Sequence, residues 1–166
     1  MVAVGNLWRQ RGARLAYEVP IYEHFLDMVA VQNPRPVVAV ELKVRDWRRA
    51  IKQAVVAQLA ADEVYIALWH VHVVSVDRLL LDATGVGLIS VDEATAAIVV
   101  PAQPSRITIT HHRDAIATWV KLPNQARSSK DIQPCSAQDA EAPRAGALCE
   151  ARSVRKWRGD LLSVTS

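Results

Sequence analysis

Cysteine is scarce in this chain, and the two cysteines present, Cys135 and Cys149, both lie late in the sequence. Two cysteines without a CxxC pair exclude a disulfide framework and make a structural zinc site a poor expectation. The first ten residues, MVAVGNLWRQ, are too short and too polar for a signal peptide. The sequence also has no apolar run approaching the roughly 20 residues needed to span a bilayer. We therefore expect a cytoplasmic protein that does not contact a membrane.

The length and composition predict one globular domain followed by a tail. The chain has 166 residues, of which 51% are hydrophobic, so it can bury a sizeable core. After about residue 123 the sequence becomes rich in Ser, Ala, Gln and Pro and shows no sustained period. We predict a folded domain over residues 1–123 and a low-complexity, disordered tail over residues 124–166. The net charge of +3 permits nucleic acid as a partner without arguing strongly for it.

Hydrophobic periodicity predicts an α/β domain. Asp46 is positioned as the N-cap of a helix whose apolar residues follow a stripe from Trp47 to Leu59. A second, short helix is predicted over residues 76–83. Short connections favour an antiparallel meander for the first three strands, and the almost fully apolar fourth strand is predicted to be central. The predicted strands cover residues 14–21, 24–31, 37–44, 63–69, 85–92 and 96–102.

The strand VVAVELKV carries two charges, Glu41 and Lys43, among apolar residues. Burying an unpaired charge is costly, so both side chains need partners or a use. Because they are two residues apart on a strand, they point to the same face. Pairing Val31 with Val37 across the loop QNPRP places Asp27 opposite Glu41, at roughly 5 Å between Cβ atoms. Two carboxylates this close are typical of a Mg²⁺ or Mn²⁺ site.

The helix that follows adds positive charge beside the two carboxylates. Arg48, Arg49 and Lys52 lie away from the apolar stripe, and Arg45 precedes the helix. Gln53 comes one turn after Arg49 and is expected near Lys43. An acidic metal site flanked by cations suits a phosphodiester substrate. We therefore expect Arg45, Arg48, Arg49 and Lys52 to contact nucleic acid.

The order of these parts resembles the PD-(D/E)xK nuclease superfamily, whose fold is restriction-endonuclease-like. The resemblance covers about half the chain and rests on Asp27 in HFLDMVAV, Glu41 and Lys43 in VAVELKV, and Gln53 in WRRAIKQA. It implies a mixed β-sheet of four to five strands flanked by helices on both faces. The implied function is a Mg²⁺-dependent endonuclease that hydrolyses phosphodiester bonds in DNA. RNA and a homodimeric assembly remain open alternatives.

The resemblance also implies a role for each matching residue. Asp27, Glu41 and the backbone carbonyl of Leu42 would bind the metal. Lys43 would orient or deprotonate the attacking water, and Gln53 would position water or the substrate backbone. One departure is that residues 1–13 contain no Asp or Glu, whereas relatives often carry an acidic residue in a first helix. This difference weakens the expectation of a second metal, for which Glu18 is a candidate ligand.

Other interpretations of the same residues remain open. Glu41 and Lys43 also fit a structural ion pair, and the basic helix face also fits an ordinary solvated surface. A catalytically inactive module on the same fold would bind nucleic acid or protein, and an assembly or regulatory domain would contact no nucleic acid. Two histidine pairs have spacings that permit a metal or phosphate contact but fit polar surface better: His70 with His72, on a predicted strand, and His111 with His112.

Overall fold

A computed structural model of the chain describes residues 1–21, 24–32 and 36–121. Strands β1 to β6 are Arg14–Ile21, His24–Val31, Val37–Lys43, Glu63–Trp69, Gly87–Val91 and Ala96–Val100. Helices α1 to α4 are Val2–Arg9, Trp47–Ala57, Arg78–Thr84 and Thr110–Lys121. A 3₁₀ helix, His70–Ser75, follows β4. The predicted α/β class is confirmed.

The six strands form a single mixed sheet in the order β1-β2-β3-β4-β5-β6. The predicted antiparallel meander is confirmed for β1, β2 and β3, with Val31 paired to Val37. Strands β3, β4 and β5 are parallel neighbours, and β6 returns antiparallel to β5. The expected four to five strands were too few, because the outermost segments β1 and β6 both pair into the same sheet. Strand β4 is central, as predicted.

Helix α2 connects β3 to β4 and packs on one face of the sheet. Its buried residues are Trp47, Ala50, Ile51, Ala54 and Ala57. The first four belong to the predicted stripe, whose later members Val55 and Leu59 are only partly buried. The Asp46 side chain accepts a hydrogen bond from the Arg49 backbone N–H at 3.1 Å, so the predicted N-cap is confirmed. Since α2 begins directly after β3, its first turns lie beside the C-terminal end of that strand.

Helix α1 lies on the opposite face, where Trp8 meets Tyr65 edge to face at 5.5 Å between ring centroids. Gly87 pairs with Tyr65 across β4 and β5. A Cβ atom at Gly87 would collide with the Tyr65 ring and would come within 2.7 Å of the Ala102 backbone nitrogen. Glycine is therefore required there by close packing rather than by backbone conformation. Helices cover both faces, as expected.

Helix α4 was not predicted from the sequence. Its Ile116, Trp119 and Val120 join the same core as α2. Arg113, a buried residue of the same helix, forms an ion pair with Asp62, at 3.3 Å between Nη1 and Oδ1. The 3.6-residue period was present in THHRDAIATWVK, but this segment borders the low-complexity region and was not assigned.

Some sequence predictions fall beyond the described residues. The boundary near residue 123, the predicted tail over residues 124–166 and both cysteines lie there. Over the described ranges, no helix is both long and apolar enough to cross a membrane. The expectation of strand geometry for the histidines in WHVHV is wrong, because His70 and His72 lie in the 3₁₀ helix and not on a strand. Strand spacing therefore does not apply to that histidine pair.

Candidate functional site

The predicted acidic and lysine residues lie at the C-terminal end of β3, which is buried along its whole length. The exposed fraction is 2% for Glu41 and 8% for Lys43. Both side chains point to the face that α2 covers, because they lie two and four residues after Ala39, which belongs to the core under α2. The sheet therefore carries two opposite charges into a layer that is otherwise apolar.

Asp27 reaches the same point from the neighbouring strand. The recorded pairs of β2 with β3 end at Met28 and Val40, one position before Asp27 would meet Glu41. There the Asp27 side chain takes the place of a backbone hydrogen-bond acceptor: its Oδ2 accepts a hydrogen bond from the Leu42 N–H at 2.8 Å. The sequence-based register is thus the observed one, and it brings Asp27 to the end of β3.

Three oxygens converge on the Lys43 ammonium. Lys43 Nζ lies 3.3 Å from Asp27 Oδ2, 3.5 Å from Glu41 Oε2 and 3.3 Å from the Leu42 carbonyl oxygen. These are the three groups that the family resemblance assigns to the metal. Carboxylate and carbonyl oxygens form the donor set that Mg²⁺ and Mn²⁺ favour. The arrangement therefore satisfies a buried lysine and also offers a compact hard-ligand set.

Burial and the neighbouring carboxylate change the acidity of Glu41. Desolvation and the negative charge of Asp27 raise the pKa of the Glu41 carboxyl from 4.5 to about 7, against the opposing effect of Lys43. A carboxyl that titrates near neutrality can change its charge when a cation or a substrate approaches. Such perturbed acids concentrate at functional sites, although structural networks also produce them.

The strands around Asp27 depart from regular alternation. Glu18 has a φ of 52°, which is unusual for a residue with a side chain. It lies between the recorded pairs Tyr17–Met28 and Val19–Leu26, at the position facing Asp27. Both strands exchange their two faces at this point, so the core residues on them are spaced by three and then two: Ala16, Val19 and Ile21 on β1, and Leu26, Val29 and Val31 on β2.

A pocket of about 280 Å³ opens beside the cluster, between the start of β2 and helix α2. Glu41 forms part of its wall, so the pocket and the three converging oxygens share this carboxylate. Arg49, Lys52 and Gln53 project from α2 along the same wall. Gln53, which the sequence predicts near Lys43, lines the same pocket as Glu41. Its Oε1 atom is buried and has no hydrogen-bond partner among the described residues.

The four predicted nucleic-acid contacts divide into two pairs. Arg49 and Lys52 line the pocket. Arg48 instead stacks on its neighbour Trp47, with the guanidinium carbon 4.3 Å from the ring centroid. Arg45 is exposed in the turn that follows β3. The helix therefore presents two cations to the pocket and holds a third against its own tryptophan.

Sequence reasoning missed the outer wall of the pocket. His24 and Phe25, at the start of β2, line it, and the Phe25 side chain is 53% exposed. The available signal was the single phenylalanine of the chain, which stands two positions before Asp27. Across residues 1–21, 24–32 and 36–121, no three or more His, Cys, Asp or Glu side chains form a group suited to a metal ion. Glu18 consequently does not complete a three-carboxylate set with Asp27 and Glu41.

Comparisons with known proteins show similarity of fold alone. No family model matches the chain, and no curated protein matches it. Among solved structures, the chain is similar to SPO1766, a protein of unknown function from Silicibacter pomeroyi, with a TM-score of 0.57 and 17% sequence identity. The similarity covers 70% of this chain and 77% of that one. The similarity supports the mixed α/β architecture and gives no information about activity.

Proposed function

We propose that this protein is a divalent-metal-dependent nuclease of the PD-(D/E)xK type that hydrolyses phosphodiester bonds in DNA. The observation that carries the proposal is the convergence of Asp27 Oδ2, Glu41 Oε2 and the Leu42 carbonyl oxygen on one point, marked by Lys43 Nζ. The sheet, with β3 between an antiparallel and a parallel neighbour, fits the restriction-endonuclease-like arrangement that the proposal requires.

The residues present fit a bound Mg²⁺ or Mn²⁺ ion. Asp27 and Glu41 would supply negative charge and Leu42 a neutral oxygen, all three on rigid strand backbone. When bound, such an ion lowers the pKa of water and stabilises charge on a phosphate. After burial, the negative charge of Asp27 is the next cause of the raised pKa of Glu41. A cation bound between the two carboxylates would relieve their repulsion.

The remaining residues have roles that follow from their own chemistry. Lys43 lies within hydrogen-bonding reach of both carboxylates, so its ammonium is placed to orient a water molecule or a phosphate oxygen. Arg49 and Lys52 on the pocket wall supply positive charge for the flanking phosphates. Gln53 offers an unsatisfied amide oxygen to water or to the substrate.

Nicking of supercoiled plasmid DNA tests the proposal. Wild type is incubated with Mg²⁺ or Mn²⁺, beside the same reactions with EDTA and beside Lys43→Ala and Asp27→Asn. We expect metal-dependent nicking that falls at least about a hundredfold in both variants. Lys121→Ala, at an exposed lysine in the last turn of α4, is the matched control and should cut like wild type. Folded wild type that never cuts plasmid or single-stranded DNA with either metal would contradict the proposal.

A second function is favoured by one feature of the same cluster. The Lys43 ammonium already contacts both carboxylates and the Leu42 carbonyl, and when Glu41 holds a proton this ammonium balances Asp27 without any further cation. That balance fits an inactive nuclease-fold module that binds nucleic acid through Arg49 and Lys52. The two functions separate in one comparison. The module binds DNA equally well as wild type and as Asp27→Asn, and it cuts DNA in neither form.

A further inference from the structure

The pocket beside Glu41 has two unlike walls. The wall from α2 carries two cations and an amide, Arg49, Lys52 and Gln53, beside the apolar Val56 and Ala57. The strands contribute the half-exposed Phe25 ring, together with Ile21, His24, Leu26 and Glu41. A purely apolar ligand would leave the cations and the amide without partners. A simple anion would leave the aromatic ring unused.

A nucleotide matches both walls at once. Its phosphate pairs with Arg or Lys, and its flat base stacks on an aromatic ring. The polar edge of the base needs hydrogen-bond partners, and the half-buried Gln53 has an amide oxygen with no partner among the described residues. Because an amide carries both a donor and an acceptor, it can serve either kind of base edge.

The size of the pocket limits the ligand to a single base. Its volume of about 280 Å³ lies just below the volume of about 300 Å³ at which small-molecule sites begin. Bases inside a duplex are covered on both sides by their neighbours, and extruding one costs a few kcal/mol. A base that is already unpaired enters without that cost. A pocket that takes a single base would therefore favour unpaired over paired DNA.

We propose that this pocket binds one unpaired nucleobase, stacked on Phe25 and hydrogen-bonded by Gln53, so that the preferred substrate is single-stranded DNA or an unpaired DNA end. The inference rests on the proposed nuclease function, since the phosphate beside this base is the one that reaches Glu41 and Lys43. Glu41 joins the two, because it lines the pocket and contacts Lys43 at 3.5 Å.

Binding measured without cleavage tests the inference. A labelled single strand of about ten nucleotides is titrated with the full chain in EDTA at fixed low salt, and fluorescence anisotropy gives the Kd. An abasic strand of the same length keeps every phosphate but has no bases, and a duplex of that length keeps its bases paired. We expect wild type to bind the ordinary strand at least about tenfold more tightly than the abasic strand or the duplex.

Two variants test whether the tighter binding of the ordinary strand, compared with the abasic strand, comes from the pocket. Phe25→Ala should remove most of the difference between the ordinary and abasic strands while changing the Kd for the abasic strand less than about twofold. Gln53→Met, which keeps the length of the side chain, should reduce the same difference. The control Val99→Ala removes a 41% exposed side chain from β6 and should bind all three ligands like wild type. Circular dichroism confirms that each variant is folded.

The possible outcomes separate the two proposals. Equal wild-type affinity for ordinary and abasic strands, or for single strand and duplex, would overturn the base pocket. An equal loss for both strands in Phe25→Ala would also overturn it. If the base dependence is found but plasmid and single-stranded DNA are never cut, the nuclease proposal fails and the base site remains. If DNA is cut but Phe25→Ala changes nothing, the base site alone fails.

Discussion

Lys43 Nζ lies 3.3 Å from Asp27 Oδ2, although the two residues are 16 positions apart and stand on different strands. The contact exists because the antiparallel pairing of β2 with β3 stops just before Asp27, where the carboxylate takes over the Leu42 N–H. Glu41 completes the group at 3.5 Å from the same ammonium.

The pKa of Glu41 should move in opposite directions when its two neighbours are changed. Asp27→Asn removes the negative charge that raises this pKa, so the value should fall below about 7. Lys43→Met removes the cation that lowers it, so the value should rise. Carboxyl ¹³C NMR titration of the metal-free protein measures both shifts. A Glu41 pKa unchanged in both variants would mean that burial alone sets it.

Glu41 should also make stability depend on pH. Its pKa is raised in the folded protein, so the folded state holds its proton more tightly than the unfolded state does. The free energy of unfolding should therefore fall as pH rises from 4.5 to about 7. At pH 8, Glu41→Gln should be more stable than wild type by about 3 kcal/mol, since each pKa unit is worth about 1.4 kcal/mol.

Urea denaturation at pH 4 and pH 8 checks this expectation. The advantage of Glu41→Gln should nearly vanish at pH 4, where the glutamate is neutral in both states. Glu93→Gln, at an exposed position after β5, is the matched control and should follow wild type at both values. A variant that is less stable than wild type at pH 8 would show that the ion pair with Lys43 outweighs the burial of charge.

The left-handed backbone at Glu18 should make glycine the favoured residue there. A φ of 52° costs a residue with a Cβ about 1 kcal/mol or more, and glycine adopts it freely. Glu18→Gly should therefore be more stable than Glu18→Ala by about 1 kcal/mol, which reverses the usual order of these residues in strands. Thermal unfolding of the two variants side by side measures this. If Glu18→Ala is the more stable, the strain does not exist in solution.

Arg49 and Arg48 form a matched pair for nucleic-acid binding. They are adjacent and equally charged, but Arg49 lines the pocket while Arg48 stacks on Trp47. Arg49→Ala should weaken DNA binding and reduce the slope of log K against log salt by about one, as for one lost phosphate contact. Arg48→Ala should change the slope less. Anisotropy titrations over a salt series provide both slopes, and equal slopes would place the phosphates elsewhere.

Several parts of the fold and the site could be predicted from the sequence because they depend on local patterns. Alternation along β3 placed Glu41 and Lys43 on one face, and the short QNPRP loop set the register that aligns Asp27 with them. The helical stripe and the Asp46 cap identified α2 and, with it, the cations around Gln53. Helix α4 was not predicted, although its apolar spacing is helical, and its ion pair between Arg113 and Asp62 joins residues 51 positions apart, which no local pattern indicates.

Side-chain direction follows from the backbone period, so the sequence is enough to predict which chemical groups stand on which face of each element. How close those groups come depends on contacts between segments that are far apart in the chain. The convergence of three oxygens on Lys43 depends on the end of the β2–β3 ladder. The pocket depends on the reversal at Glu18, since regular alternation would not place both Leu26 and Val29 in the core. Such irregularities arise from packing between distant segments, which no local period records.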